Sequence, residues 1–334
     1  MITIYLEGVW NEIITQKGFD LFEQRGIKLI GNLLKPKSTN LKTSSYVDLV
    51  VATNGDPAVL SWAYSHQVPV IFYTLFPDLI TGWDYDKNKY KESLVNDFED
   101  KVKNTQNDIL VNSEFTKKLL KDRFKLPINM SLCYLGIDSK SISAINATGS
   151  DRLRVLWNHM WRKDKGFIHA LKITTNLANK YSNIDFYVGR KEDWGGGNIH
   201  NLQAAYANAL SSIKKEKLKN ICFIDKFKTQ INYWRFLKSV DISFSCSFHE
   251  TFGISMLEQE AAGIACVVPN IEAYPEIHKG ALQSPLSSIQ NNLEELIINK
   301  AKRNKVSNSC KKNAVNYSIE KFVDNLTSHI KKVL

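Results

Sequence analysis

Runs of continuous apolar residues, separated by helix-length amphipathic segments, recur along this 334-residue chain and leave few folds open to it. They are ITIYL (2–6), KLIGN (28–32), DLVVA (48–52), VPVIFYT (68–74), DILVN (108–112) and NMSLCYL (129–135), with amphipathic stretches such as 11–25 and 113–124 between them. A strand that is apolar along its whole length is covered on both faces, and strand–helix alternation sets such strands side by side in parallel. The polar, small-residue stretch SKSISAINATGSDR (139–152) reads as a linker. Beyond it the alternation restarts with LRVLW (153–157), IDFYV (184–188), NICFI (220–224), DISFSC (241–246) and IACVV (264–268). The last 17 residues have the spacing of an amphipathic helix. The expectation is an α/β chain with two Rossmann-like parallel-sheet domains, 1–145 and 150–316, followed by a C-terminal helix over 317–334 that crosses back. Ligands of such folds bind at the carboxyl ends of the strands, here in a cleft between the two sheets.

Composition narrows the function classes. Hydrophobic residues at 43% and charged residues at 23% are those of a folded protein, not of a collagen-like or low-complexity one. No apolar run reaches the roughly 18–20 residues of a membrane-spanning helix. The start, MITIYLEGVW, lacks the basic region and long apolar core of a signal peptide, so a cytoplasmic location is expected. Five scattered cysteines, Cys133, Cys222, Cys246, Cys266 and Cys310, suggest neither a disulfide framework nor a metal site. The 44 basic residues against 34 acidic ones leave a net charge of +10, which suits a polyanionic partner.

The sharpest local signal is HETFGISMLE (249–258), directly after a strand and at the start of a helix. Gly253 lets backbone approach a ligand closely, and the N–H groups of Gly253, Ile254 and Ser255 suit a phosphate. Glu250 lies in the loop and Glu258 about two turns into the helix. From spacing alone, an ordinary strand–turn–helix with solvated acids fits equally well.

The E-x7-E spacing, with Phe252 and Gly253 inside it, resembles the signature of retaining GT-B glycosyltransferases of the glycogen-synthase and sucrose-synthase-like class. Other blocks follow in that family's order: VNSEFTKKLLKDRF (111–124), YLGID (134–138), VLWNHMWRKDKGF (155–167), FYVGR (186–190) and the stretch from Ile242 to Ile277. Within the class, WNHMWRKDK and HETFGISMLE with YPEI are similar to the tRNA-queuosine mannosyltransferase group. The resemblance covers roughly 109–322. It implies that Glu258 holds the ribose hydroxyls of a nucleotide sugar and that Glu250 lies by the donor sugar. Lys165 would neutralise the diphosphate, and Phe252, Gly253, Ile254 and Ser255 would complete the donor site. It implies retention at the anomeric carbon, with neither cofactor nor metal required.

Two departures stand out. Met160 occupies the place of the family's second diphosphate ligand, an arginine, so Arg162 or Arg190 is expected to supply that charge. TLFPDL replaces a family histidine near the donor's C6 hydroxyl, leaving Leu75 or Phe76 there with Asp78 nearby, which suits a pentose donor such as arabinose as well as glucose. The Asp84-Tyr85-Asp86 triplet reads as chance in the polar loop WDYDKNKY, and GGG at 195–197 matches no phosphate-loop pattern. His249 reads as a loop residue beside the donor, and His159 has no partner at metal-ligand spacing.

The acceptor is read from charge. From Arg25 to Val47 there are five basic residues, Arg25, Lys28, Lys35, Lys37 and Lys42, and no acid. Lys117, Lys118, Lys121, Arg123 and Lys125 bracket a single Asp122, and Lys300 to Lys312 holds six basic residues and no acid. Such stretches suit a phosphate backbone, or else are simply solvated. The expected reaction moves a sugar from a UDP-linked donor to a hydroxyl on a modified nucleic-acid base. Hydroxymethylcytosine in DNA, as in phage glycosyltransferases, comes first and tRNA queuosine second. A surface glycan or glycolipid acceptor, or a binding module without activity, are the alternatives. Lys35, Lys37, Lys42, Trp10 and Asp78 are the candidate acceptor contacts, with Phe76, Trp83 and Trp161 as further rings for stacking a flipped base.

Overall fold

A computed structural model describes residues 1–7, 16–30, 47–53, 56–74, 83–84, 89–90, 100–102, 109–123, 129–146, 149–189, 218–224 and 227–334, with a few isolated positions between. Its contacts divide the chain into two compact units, one of Met1–Asp84, Lys89–Asp138 and Tyr317–Leu334, the other centred on Ser139–Asn316.

The first unit contains β1 (Ile2–Glu7), α1 (Gln16–Gln24), β2 (Ile27–Ile30), β3 (Leu49–Ala52), α2 (Pro57–Ser65) and β4 (Val70–Thr74). After β5 (Trp83–Asp84) and β6 (Lys89–Tyr90) come β7 (Ile109–Val111), α3 (Glu114–Arg123) and β8 (Met130–Leu132). Six strands form one sheet in the order β2-β1-β3-β4-β7-β8, every pair parallel. The central strands β3 and β7 are buried at every residue, the physical counterpart of their unbroken apolar sequence. The two ends of WDYDKNKY, read as a polar loop, are short strands: β5 and β6 pair antiparallel, Trp83 opposite Tyr90.

The C-terminal helix Ile319–Val333 packs in this first unit. Its buried Phe322, Val323, Leu326 and Ile330 recur at helical spacing, and Phe322 lies on Tyr73 with ring centroids 6.1 Å apart. Gly136 permits the approach, since a Cβ there would stand 2.7 Å from Ser318 O and 2.8 Å from Ile319 Cα. Lys17 joins Asp138 at 2.7 Å and Glu320 at 3.1 Å, which ties α1 to both ends of the crossing.

The second unit begins with a helix, α4 (Ser139–Ala144), inside the stretch that reads as linker. Five of its six residues are small or polar, and its anchor is Ile142, fully buried. There follow β9 (Arg154–Trp157), α5 (Phe167–Lys180), β10 (Asp185–Gly189), β11 (Ile221–Ile224), α6 (Gln230–Leu237) and β12 (Ile242–Phe244). The chain continues through α7 (Ile254–Ala262), β13 (Ala265–Pro269), α8 (Tyr274–Ile277), β14 (Leu282–Ser284), α9 (Ile289–Ile298) and α10 (Lys300–Ala314). Helix α4 packs on α7, which is why it belongs with this unit. The sheet order is β11-β10-β9-β12-β13-β14, all parallel. Successive strands therefore build outward from β9 in one direction and then, from β12, in the other. Trp157, Phe167, Phe186 and Phe244 fill the core beneath this reversal.

Candidate active site

Where strand order reverses in a doubly wound sheet, the loops leaving two adjacent strands diverge and open a crevice at their carboxyl ends. In the second unit those loops are 158–166 after β9 and 245–253 after β12. Each ends in a glycine that starts a helix in the left-handed region, Gly166 at φ 65° and Gly253 at φ 83°, and neither helix has a side-chain cap. A Cβ on Gly166 would run into the Cys246 backbone, and one on Gly253 would stand 2.6 Å from His278 Nε2. Four other helices have side-chain caps, from Asp56, Thr229, Asn299 and Ser318, whereas α8 and α9 have none. Of the first N–H groups of α7, that of Gly253 donates to Glu250 Oε1 at 3.1 Å. Those of Ile254 and Ser255 have no partner among the described residues.

Lys165 and Glu250, 85 residues apart in sequence, meet here. Lys165 Nζ donates to Glu250 Oε2 at 2.9 Å and to the His249 carbonyl at 3.1 Å, with Asp164 Oδ2 3.7 Å away. Both side chains are 13% exposed. Burial would raise the Glu250 pKa, but the Lys165 ammonium, its hydrogen bond and the Phe252 N–H pull it down to about 2. Burial likewise opposes the Lys165 charge, and Glu250 and Asp164 more than offset it, so its pKa is raised. His159 lies in the same loop. Loss of water and the nearby Lys165 push its pKa down to about 3, so the ring is neutral at physiological pH.

Glu258 is the electrostatic opposite of Glu250. Its Oε1 accepts from Trp234 Nε1 at 3.2 Å, and the Tyr233 hydroxyl bonds to the same carboxyl. Among the described residues no cation figures in its environment, so burial dominates and raises its pKa to about 7, the two hydrogen bonds offsetting only part. Asn158 Nδ2 donates to the Tyr233 hydroxyl at 3.0 Å, and Ser255 Oγ donates to Asn158 O at 3.2 Å, which joins the β9 loop to α7. Chemically, one end of the crevice offers an ammonium and a helix N-terminus to an anion. The other end offers a carboxyl group to hydroxyl donors.

Several sequence expectations are revised. Trp161 does not face a ligand: it is 7% exposed, stacks on Phe167 with centroids 4.2 Å apart, and donates to the Gly189 carbonyl. His249 lies in the loop and is fully buried, which its sequence context does not signal, with Nδ1 2.7 Å from Glu272 Oε2. Arg162, expected to supply the charge missing at Met160, bonds the buried Asp164 Oδ1 through its Nε at 3.0 Å. Phe252 is buried behind the loop at 3% exposure. Arg190, Lys35, Lys37, Lys42, Trp10, Leu75, Phe76 and Asp78 lie outside the described residues, as does the side chain of Trp83.

Sequence reasoning missed Tyr233 and Trp234, whose only signal is an aromatic pair early in a helix. It also missed Glu272, which holds the Glu250 N–H at 2.6 Å and sits at φ 48°. A glutamate with positive φ is uncommon, and only the folded backbone reveals it. Among the described residues no group of His, Cys, Asp or Glu is arranged to hold a metal, and no helix is long and apolar enough to cross a membrane.

The fold has well-matched solved relatives at low identity. Sucrose-phosphate synthase from Thermosynechococcus elongatus superposes with a TM-score of 0.78 over 99% of both chains at 10% identity. HepE of Anabaena, solved with UDP and glucose, gives 0.73 over 99% of both chains, again at 10% identity. A trehalose-6-phosphate structure from E. coli, bound with UDP-2-fluoro glucose, gives 0.69 over 88% of this chain and 75% of its own at 11% identity. The profile of the glycosyl transferases group 1 family matches residues 140–314, more than half of the chain and the whole of the crevice just described. The chain belongs to that family: it is a group 1 glycosyltransferase of the GT-B fold.

Proposed function

We propose that this protein transfers a sugar from a UDP-linked donor bound at the β9–β12 crevice, with retention at the anomeric carbon. The observation that carries the reading is the convergence of Lys165, Glu250 and the uncapped start of α7 at one switch point, with Glu258 about one turn along the helix. Glu258 takes the ribose hydroxyls. Lys165 and the Ile254 and Ser255 N–H groups take the diphosphate, and Glu250 turns to the hydroxyls of the sugar. As the bond between the anomeric carbon and the phosphate oxygen breaks, charge grows on that oxygen, where an ammonium and helix N–H groups stabilise it best. The acceptor oxygen bonds to the same face of the carbon and its proton passes to the leaving diphosphate, so UDP and a glycoside result. Binding of UDP, measured by calorimetry, tests the site. Glu258→Ala should weaken it at least tenfold, about 1.4 kcal/mol, and wild-type binding by that variant would refute the assignment.

For the acceptor, the reading is a hydroxyl on a modified nucleic-acid base, hydroxymethylated DNA before tRNA. Support comes from charge: helix α10 contributes Lys300, Lys302, Arg303, Lys305, Lys311 and Lys312 with no acid, and in sequence the stretch 25–47 is also free of acids. Incubation with a panel of nucleotide sugars and hydroxymethylated DNA, unmodified DNA or tRNA should produce a mass increase on the first. Donor hydrolysis without transfer to any nucleic acid would move the acceptor to a glycan. The product's anomeric configuration, read by NMR, tests retention.

A further inference from the structure

One peptide group in the crevice is held from both sides. Its N–H, that of Gly253, donates to Glu250 Oε1 at 3.1 Å. Its C=O, that of Phe252, accepts from His278 Nε2 at 2.9 Å. A carbonyl only accepts, so His278 carries hydrogen on Nε2. The other ring nitrogen, Nδ1, lies 2.8 Å from Glu260 Oε1, and Glu260 Oε2 accepts from Asn313 Nδ2 at 2.7 Å. Glu260 and His278 are both fully buried. Asn313 Nδ2 also donates to the Ile277 carbonyl at 2.8 Å, which fixes its own rotamer. A single file of hydrogen bonds thus runs from α10 through α7 and the end of α8 to the Lys165–Glu250 pair.

Nothing in packing alone demands this arrangement. A buried pair of this kind is costly to desolvate, and apolar residues of the same volume would serve a core equally well. What apolar residues lack is a donor for the Phe252 carbonyl. Gly253, at φ 83°, is free to rotate in a way other residues are not, so the peptide before it is the part of the loop most in need of an external constraint. Its orientation decides whether the Gly253 N–H points at the anion end of the crevice or away from it.

We propose that Glu260, His278 and Asn313 are positioning residues for the donor site. His278 locks the 252–253 peptide, Glu260 locks the ring of His278, and Asn313 locks Glu260. None of the three touches the donor. The proposal rests on the UDP-site reading for its binding consequence, whereas its structural consequence is measurable without any ligand.

The discriminating variants follow from side-chain geometry. In His278→Gln the amide nitrogen reaches the place of Nε2 and keeps the donor to Phe252. In His278→Asn it reaches only the place of Nδ1, keeping Glu260 company and leaving Phe252 without a donor. Glu260→Met with His278→Leu removes the buried pair altogether without leaving a carboxylate unpartnered. Hydrogen–deuterium exchange is measured on the ligand-free proteins, with UDP affinity in parallel. Amides of 250–257 should exchange faster in His278→Asn and in the double variant but not in His278→Gln, while β9 and β13 keep wild-type protection. UDP affinity should fall about tenfold in the first two and stay within about threefold in the third. Unaltered exchange in both donor-less variants overturns the proposal, as does faster exchange with unchanged UDP affinity. Absence of UDP binding by the wild-type protein would sink the UDP-site reading instead, and the ligand-free exchange then decides the positioning role by itself.

Discussion

Glu258 should stabilise the donor complex and destabilise the fold, and the two effects separate by pH. Its carboxyl has a pKa raised from 4.5 to about 7 because burial disfavours the charged form. Below about pH 4.5 the group is protonated whether the chain is folded or not, so it costs nothing. Between about 4.5 and 7 the unfolded chain releases the proton and the folded one keeps it, so the penalty grows with pH; above about 7 it is constant. A carboxyl moved that far costs at most about 3 kcal/mol, and the partial exposure of Glu258 reduces this to about 1–2 kcal/mol. Glu258→Gln keeps the shape and an acceptor for the Trp234 indole while removing the charge. Urea unfolding at about pH 4 should find variant and wild type nearly equal, whereas at about pH 8 the variant should be more stable by about 1–2 kcal/mol. UDP binding should show the reverse. Ribose hydroxyls bond more strongly to an ionised acceptor than to a neutral one, so wild-type affinity should rise by up to about tenfold from pH 6 to pH 8 as the ionised fraction rises from about one tenth to nine tenths. The variant, retaining only the titration of the nucleotide's own phosphate, should lack that rise. A stability difference of the same size at both pH values would refute the assignment of a buried, uncompensated carboxyl.

Other consequences concern the rest of the site. Lys165→Met leaves the Glu250 carboxylate without its cation and should lower stability by about 3 kcal/mol; adding Glu250→Gln should restore most of it, as chemical denaturation would show. Glu250 itself, held at about 2, contributes stability above about pH 4.5 that is lost as pH falls through about 2, so acid unfolding of Glu250→Gln should lack that component. Gly253→Ala should cost about 1–3 kcal/mol and weaken UDP binding, because the new methyl meets His278 Nε2 at 2.6 Å and φ 83° is strained for alanine. Replacing Lys300, Lys305 and Lys312, or Lys35, Lys37 and Lys42, by glutamine should flatten the salt dependence of nucleic-acid binding by up to about 0.9 in slope per lost phosphate contact. An unchanged slope in both sets would remove nucleic acid as the acceptor.

Much of this architecture is legible in the sequence because parallel strands announce themselves locally. LVVA, ILV and ACVV are apolar without alternation, and each is an observed strand buried on both faces. The glycine before α7 is legible too, since Gly253 stands between a strand and a helix where the turn takes positive φ. Helix α4 escapes the same reading: Ser139–Ala144 is small and polar, and its one anchor, Ile142, is buried only because α7 lies against it. Trp161 misleads in the opposite direction, since an aromatic ring in a site loop looks like a ligand contact until Phe167 is found stacked upon it.

By itself, then, the sequence determined most of the segments that become strands and helices, that they alternate, and which loop carries the E-x7-E pair, since periodicity and turn chemistry act over a few residues. Only the tertiary structure decided the strand order that brings Lys165 to Glu250 across 85 residues, and the different fates of two glutamates eight positions apart. Charge state depends on distance to a cation and on access to water, and both are properties of the fold. Glu250, against Lys165, is held at about 2; Glu258, among Trp234 and Tyr233 with no cation among the described residues to compensate burial, rises to about 7.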